Sequence, residues 1–449
     1  MMRVDAVQAQ RVLVGDEFVP ATVTFHHGRI TGIEPVEHQT EGLVIRAPDS
    51  AYVVPGIVDT HVHVNEPGRT EWEGFVSATE AAALGGATTL IDMPLNSIPS
   101  TVTVDALRVK QDAARGELMV DVGFWGGAVP GNVAALEPLW EAGVFGFKCF
   151  LADSGVAEFP PLNPSEFLAA LTEIARFDGL MIVHAEDAGV LAGAPNRPSR
   201  SYTDFVLSRP DEAETAAIQQ VIDGARATGA RVHILHLSSA RALDRIKAAR
   251  DEGLRITVET CPHYLCFAAE TIPDAAPQFK CCPPIRDGGN REELWQALRD
   301  GVIDCIVSDH SPATAEEKER GGGDLQQAWG GVSGLQVGFS AVAQEARRRG
   351  IALSRVSHWM SRNTADFVGL GHKGRIEVGA DADLAIYDTN VDFRIEATRL
   401  AHRNPISAYD GLRYGGRITR SIVRGNAIDV ERPDHDWGRM LTRPAKEQQ

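Results

Sequence analysis

Histidines, a lysine and acidic residues stand at the ends of seven apolar runs in this 449-residue chain. His61 and His63 follow residues 52–58, and Asp92 falls in residues 88–93. Lys148, His184, His236, Glu259 and Asp309 close residues 144–148, 180–184, 232–236, 256–259 and 305–309. Side chains two apart on a strand share a face, so His61 and His63 can grip one ion. Alternation on an exposed strand yields the same pair without any ion. Imidazole and carboxylate bind borderline cations such as Zn²⁺ at ~2.0–2.2 Å. Four histidines (His61, His63, His184, His236) and Asp309 exceed the needs of one open tetrahedral ion. They suit two ions ~3.5–4 Å apart, which need an anionic bridge. A desolvated, neutral Lys148 could add carbon dioxide and supply that bridge as a carbamate. The commoner alternative is an ion pair between Lys148 and an Asp or Glu at the same end of the fold. Asp309 reads either as a turn former or as a ligand and base.

Other candidates carry less. His233 has odd spacing from His236, so the strand pattern turns it toward the helix layer. His263 and Tyr264 either line the site or pack behind it, and His310 points away from it. The glycines at 321–323 lack a strand-to-helix setting, so they read as a flexible segment near the mouth and not as a phosphate cradle.

These residues need a scaffold. The apolar runs between residues 53 and 370 alternate with helical stretches at 165–177, 212–228 and 240–252. Strands alternating with helices predict βαβ units and a parallel sheet. At least six units in roughly 300 residues favour an α/β fold of the closed (β/α)₈ barrel type, which places active sites at the C-terminal strand ends. Residues 1–52 and 371–449 are β-patterned instead. With 43% apolar and 23% charged residues, an ordinary core is available. A net charge of −17 argues against a nucleic-acid partner. No run of ~18 apolar residues predicts a membrane span. The N-terminus has no signal-peptide pattern, and the six cysteines form no C-x-x-C pair, so a reduced, cytoplasmic setting is expected.

The order His-x-His, Lys, His, His, Asp resembles the amidohydrolase superfamily, and within it the cyclic amidohydrolases: dihydroorotases, hydantoinases and allantoinases. Asn65 stands where dihydroorotases carry arginine, Cys282 where they carry asparagine, and Phe150 where hydantoinases carry tyrosine. Residues 71–74 (Glu-Trp-Glu-Gly), 93–96 (Met-Pro-Leu-Asn) and 146–150 (Gly-Phe-Lys-Cys-Phe) are similar to the allantoinase branch.

The resemblance implies that the two terminal segments join as a small β-sandwich beside the barrel. It implies two divalent ions, zinc or in its place iron, cobalt or manganese. His61, His63 and Asp309 would hold the first ion, His184 and His236 the second, with carboxylated Lys148 as bridge. Asp309 would also be the catalytic proton shuttle. Asn65, Cys282 and Ser333 would contact a small-molecule substrate, allantoin, whose cyclic amide is opened to allantoate. A homotetramer is implied too. The alternatives are a hydantoinase or dihydropyrimidinase, and a non-catalytic scaffold that has kept the fold.

Overall fold

The computed structural model describes residues 2–428 and 437–444. Residues 429–436 and 445–449 of the expected C-terminal segment lie outside the described residues. Eight barrel strands run in chain order: β1 (Ile57–Val62), β2 (Ala87–Asp92), β3 (Asp121–Phe124), β4 (Phe147–Phe150), β5 (Leu180–His184), β6 (Arg231–Ile234), β7 (Ile256–Thr260) and β8 (Cys305–Ile306). Neighbours pair in parallel from β1 to β3 and from β4 to β8. The short continuation of β3, Gly126–Gly127, pairs with β4 and joins the two groups. A parallel bridge from Val62 to His310 closes the ring. Asp59 reinforces that closure, accepting from the backbone N–H of His61 at 3.1 Å and of Ser308 at 3.2 Å.

Alternation along each strand sorts side chains between two layers. Phe147 and Cys149, Met181 and Val183, and Val232 and Ile234 pack outward against helices α1 (Pro164–Arg176) and α2 (Asp211–Thr228). Val58, Ile91, Phe150, Ile182 and Leu235 belong to a separate inner cluster. Ala365, Val368 and Leu370 complete that cluster and plug its lower end. Helix α1 starts on a capping box, with Asn163 accepting from the Glu166 N–H and the Glu166 carboxylate from the Asn163 N–H.

The β-patterned ends come together in one sheet of nine strands. Leu384–Arg394 lies between Arg413–Val423 and Ala51–Pro55, so chain from both ends interleaves. The sheet has its own apolar core, including Val7, Val23, Val53, Leu384 and Ile422. Gly56 separates its strand Ala51–Pro55 from β1. Among the described residues no helix is long and apolar enough to cross a membrane, and all six cysteines are free thiols.

Two expectations fail for reasons of strand geometry. Asp92 ends β2 but faces outward, where its carboxylate pairs with Lys110 at 2.5 Å and accepts from the Val64 N–H at 2.8 Å. It braces the barrel against the helix carrying Lys110, Val104–Ala114, and does not join the mouth cluster. His233 points inward, not to the helix layer. Its ring bonds Glu259 at 3.1 Å and Thr257 at 2.7 Å and lies 4.1 Å from the Phe367 ring, centroid to centroid. Odd spacing misleads here because β6 stops at Ile234 and the chain then turns, with φ of 36° at His236.

Candidate metal centre

The C-terminal ends of β1, β4, β5, β6 and β8 deliver the chemistry. His61 is the last-but-one residue of β1, Lys148 lies within β4 and His184 ends β5. His63 follows β1 directly, His236 lies two residues beyond β6 and Asp309 three beyond β8. Asn65, Asn96, His236 and Asp309 all have left-handed backbones, with φ of 67°, 67°, 36° and 44°. Such conformations are sparse for residues with a Cβ and gather at functional sites.

His61 Nε2 lies 3.1 Å from Asp309 Oδ1, and His63 Nε2 lies 3.5 Å from the same oxygen. Two atoms binding one tetrahedral ion at ~2.0–2.2 Å stand roughly 3.3–3.6 Å apart, so the donor set fits a cation. Lys148 Nζ is 3.5 Å from His61 Nε2. Among the described residues Lys148 makes no ion pair, and Asp309 and Glu259 act on its charge from farther off. His236 completes the ring of imidazoles, with centroids 5.4 Å from His61 and 4.7 Å from His184. Its Nδ1 is buried without a partner. A cavity of about 570 Å³ opens onto this group, lined by His63, Lys148, His184, His236 and Asp309. His61 lies behind that surface, fully buried.

The electrostatics suit a cation as well. Burial, helped by the Lys148 charge, brings His63 down to about 3. Burial also lowers His184, and drives His236 well below the usual histidine range. Neutral imidazole is the state that binds metal. Burial opposes charge on His61, but Asp309 and Glu259 overcome it and raise its pKa. Burial draws the Lys148 ammonium down to about 8. Asp309 stays ionised: burial raises its pKa, and His61 and His63 more than offset that.

Two carboxylates that the sequence left without a role hold the imidazoles. Glu259 bonds His61 Nδ1, leaving Nε2 to face Asp309, and accepts from the His236 N–H at 3.2 Å. Glu186 bonds His184 Nε2 at 2.7 Å. Glu259 was legible as a polar strand end. Glu186 lies two residues beyond β5, where spacing carries no signal. Asn96 lines the cavity and places its side-chain amide 3.4 Å from His63 Nδ1.

Of the three substrate-contact candidates, Cys282 lines the cavity. Asn65 and Ser333 are buried and are not among its lining residues. Asn65 donates to the Pro312 carbonyl at 3.4 Å, and the Ser333 carbonyl accepts from Ser407 Oγ at 2.7 Å. Trp329, and Arg209 and Lys280, the last two not singled out from sequence, form part of the wall. His263 is buried behind the cavity near Asp309 and Cys261, with neither ring nitrogen partnered. The Tyr264 hydroxyl donates to the Pro283 carbonyl at 2.8 Å. His310 points away, as expected, to Glu73 at 3.1 Å. The glycines at 321–323 follow Arg320, itself part of the cavity wall, so they do sit near the mouth.

A closed eight-stranded barrel with this donor set at its C-terminal mouth defines the class of metal-assisted barrel hydrolases. The amidohydrolase family profile matches residues 52–428, and the chain belongs to that family. It is 50% identical to the allantoinase of Streptomyces avermitilis over 97% of this chain and 98% of that one. It is 42% identical to the allantoinase of Saccharomyces cerevisiae over 95% of each chain. Among solved structures, the L-hydantoinase (dihydropyrimidinase) of Arthrobacter aurescens superposes with a TM-score of 0.91 at 29% identity, covering 98% of this chain and 100% of that one. The dihydropyrimidinase of Brevibacillus agri gives 0.88 at 26% identity, covering 98% and 99%.

Proposed function

We propose that the chain is a cyclic amidohydrolase that opens the hydantoin ring of allantoin to allantoate. The observation that carries the substrate is the near-full-length likeness, at 50% identity, to an allantoinase. The residues at the mouth support the chemistry. His61, His63 and Asp309 would hold one divalent ion and His184 and His236 the other, and a carboxylated Lys148 would add a further anionic ligand. Zinc suits the donor set, and iron, cobalt or manganese fit the same ligands. When bound, the ions supply Lewis acidity to the ring carbonyl and make water a nucleophile at neutral pH.

The chain's own groups do the rest. Asp309 takes the proton from the attacking water and passes it to the leaving ring nitrogen. Phe150, stacked on His184 with centroids 4.6 Å apart, carries no hydroxyl to donate to a developing oxyanion. Cys282 meets the substrate at the cavity wall. Asn65 and Ser333 act on it only through the loops they hold. The enzyme works in the cytoplasm as a homotetramer.

Purified protein supplied with divalent metal should release allantoate from allantoin and should leave hydantoin and dihydropyrimidines largely intact. Turnover confined to the latter two would make it a hydantoinase or dihydropyrimidinase, the activity named for its fold neighbours. Asp309→Asn should cost ~10²–10⁴-fold in kcat, the usual worth of a positioned acid–base group. Unchanged turnover would remove Asp309 from the proton path.

A further inference from the structure

The buried Glu186 and the half-buried Arg209 form a device that the reaction scheme leaves unused. Glu186 is fully buried at the start of the loop after β5. Its Oε2 meets His184 Nε2 at 2.7 Å. Arg209 grips both carboxylate oxygens, Nε to Oε1 at 2.9 Å and a terminal guanidinium nitrogen to Oε2 at 2.6 Å. Arg209 lies between the helix Tyr202–Leu207 and α2, and its guanidinium also faces the cavity. The His184 ring is confined on its other sides. Phe150 stacks on one face at 21° and His236 meets it edge-on at 75°.

We infer that Arg209 and Glu186 are positioning residues for His184: the bidentate guanidinium orients the carboxylate, and the carboxylate holds the Nε2–H of the imidazole so that Nδ1 alone is left to ligate an ion. Both oxygens of Glu186 are engaged, so it is not itself a ligand. Carboxylates that hold a ligating histidine in this way set its tautomer and ring orientation. The bidentate fork makes lysine a poor replacement for Arg209, because an ammonium cannot hold two oxygens in one plane. The inference rests on the reading of His184 as a ligand of the second ion.

Zinc content and zinc release test it without recourse to turnover. Glu186→Gln keeps the shape but leaves the Arg209 fork and the His184 Nε2–H one acceptor oxygen to share, so the tautomer is no longer held. After dialysis the variant should hold one zinc per chain where the unaltered protein holds two. Its weaker site should lose ~10–100-fold in affinity, read by transfer to a chromophoric chelator. Arg209→Met should show the same loss, and Arg209→Lys should recover little of it. Excess zinc should restore kcat of Glu186→Gln with KM for allantoin unchanged, which a general packing defect would not do. Far-UV circular dichroism checks folding, and Glu186→Gln decides alone if Arg209→Met does not fold. Two ions retained in Glu186→Gln, with release as slow as in the unaltered protein, overturn the inference. Fewer than two ions in the unaltered protein overturn both it and the two-ion reading. Loss of one ion in a protein that never opens allantoin supports the clamp and removes only the substrate.

Discussion

Glu259 shows how one side chain can serve two strands. It bonds His61 from β1 and His233 from β6, and receives the backbone N–H of His236. Burial works against its charge, but His61 and His233 bring its carboxyl down to about 2, from an ordinary value of 4.5. The folded state therefore binds fewer protons than the unfolded chain between those values, and stability falls as pH drops through them. Above pH 4.5 the contribution is complete, and toward pH 2 it is lost. Glu259→Gln should flatten this part of the acid-unfolding curve of the metal-free protein, followed by thermal melting. An acid limb as steep as that of the unaltered protein would show that other carboxylates carry it.

At the scale of elements, inward or outward direction decides which polar strand ends reach the mouth. Lys148 and Phe150 share one face of β4, while Phe147 and Cys149 share the other. Asp92 has the wrong parity and spends its charge on Lys110, within a pair that is almost wholly buried. Breaking a buried pair from one side leaves an uncompensated charge and costs ~3–5 kcal/mol. Lys110→Met should lose about that much in urea unfolding without changing the metal content of the folded protein. The double variant with Asp92→Leu should regain part of the loss, because no charge is then stranded. A single variant as stable as the parent would remove the pair as a brace between β2 and its helix.

For the whole molecule, the question is what couples the barrel to the terminal sheet. Lys373 lies at the centre of a buried cluster, 2.8 Å from Asp121 on β3, 3.1 Å from Asp381 and 2.7 Å from Asp383. Arg424, beyond the sheet strand Arg413–Val423, also pairs with Asp121. Barrel and sheet thus share one network of charges, and the two should melt together. Lys373→Met takes the ammonium from all three and leaves Asp383 with no ion-pair partner among the described residues, while Asp121 keeps Arg424 and Asp381 keeps Arg29, at a cost of the same order, ~3–5 kcal/mol. Scanning calorimetry should show a single transition in the unaltered protein and a lower or split one in the variant. An unchanged melt would mean that the apolar contact between the two units suffices.

The sequence by itself picked out the candidate ligand set, since metal chemistry restricts residue types and the strand ends stand out as polar breaks in apolar runs. It also determined the barrel, through the alternation of short apolar runs with helical periods, and the β character of both ends. Phase at the strand ends was not legible, as His233 and Asp92 show, because a strand that stops one residue early or bulges reverses the direction of the next side chains. Nor were the partners distant in sequence. Only the tertiary structure brought Glu186, Arg209 and Glu259 against the histidines and set Asn65 and Ser333 behind the cavity wall. Local spacing encodes which face a side chain takes within an element, whereas the contacts that orient an imidazole cross between elements and depend on how the closed barrel packs.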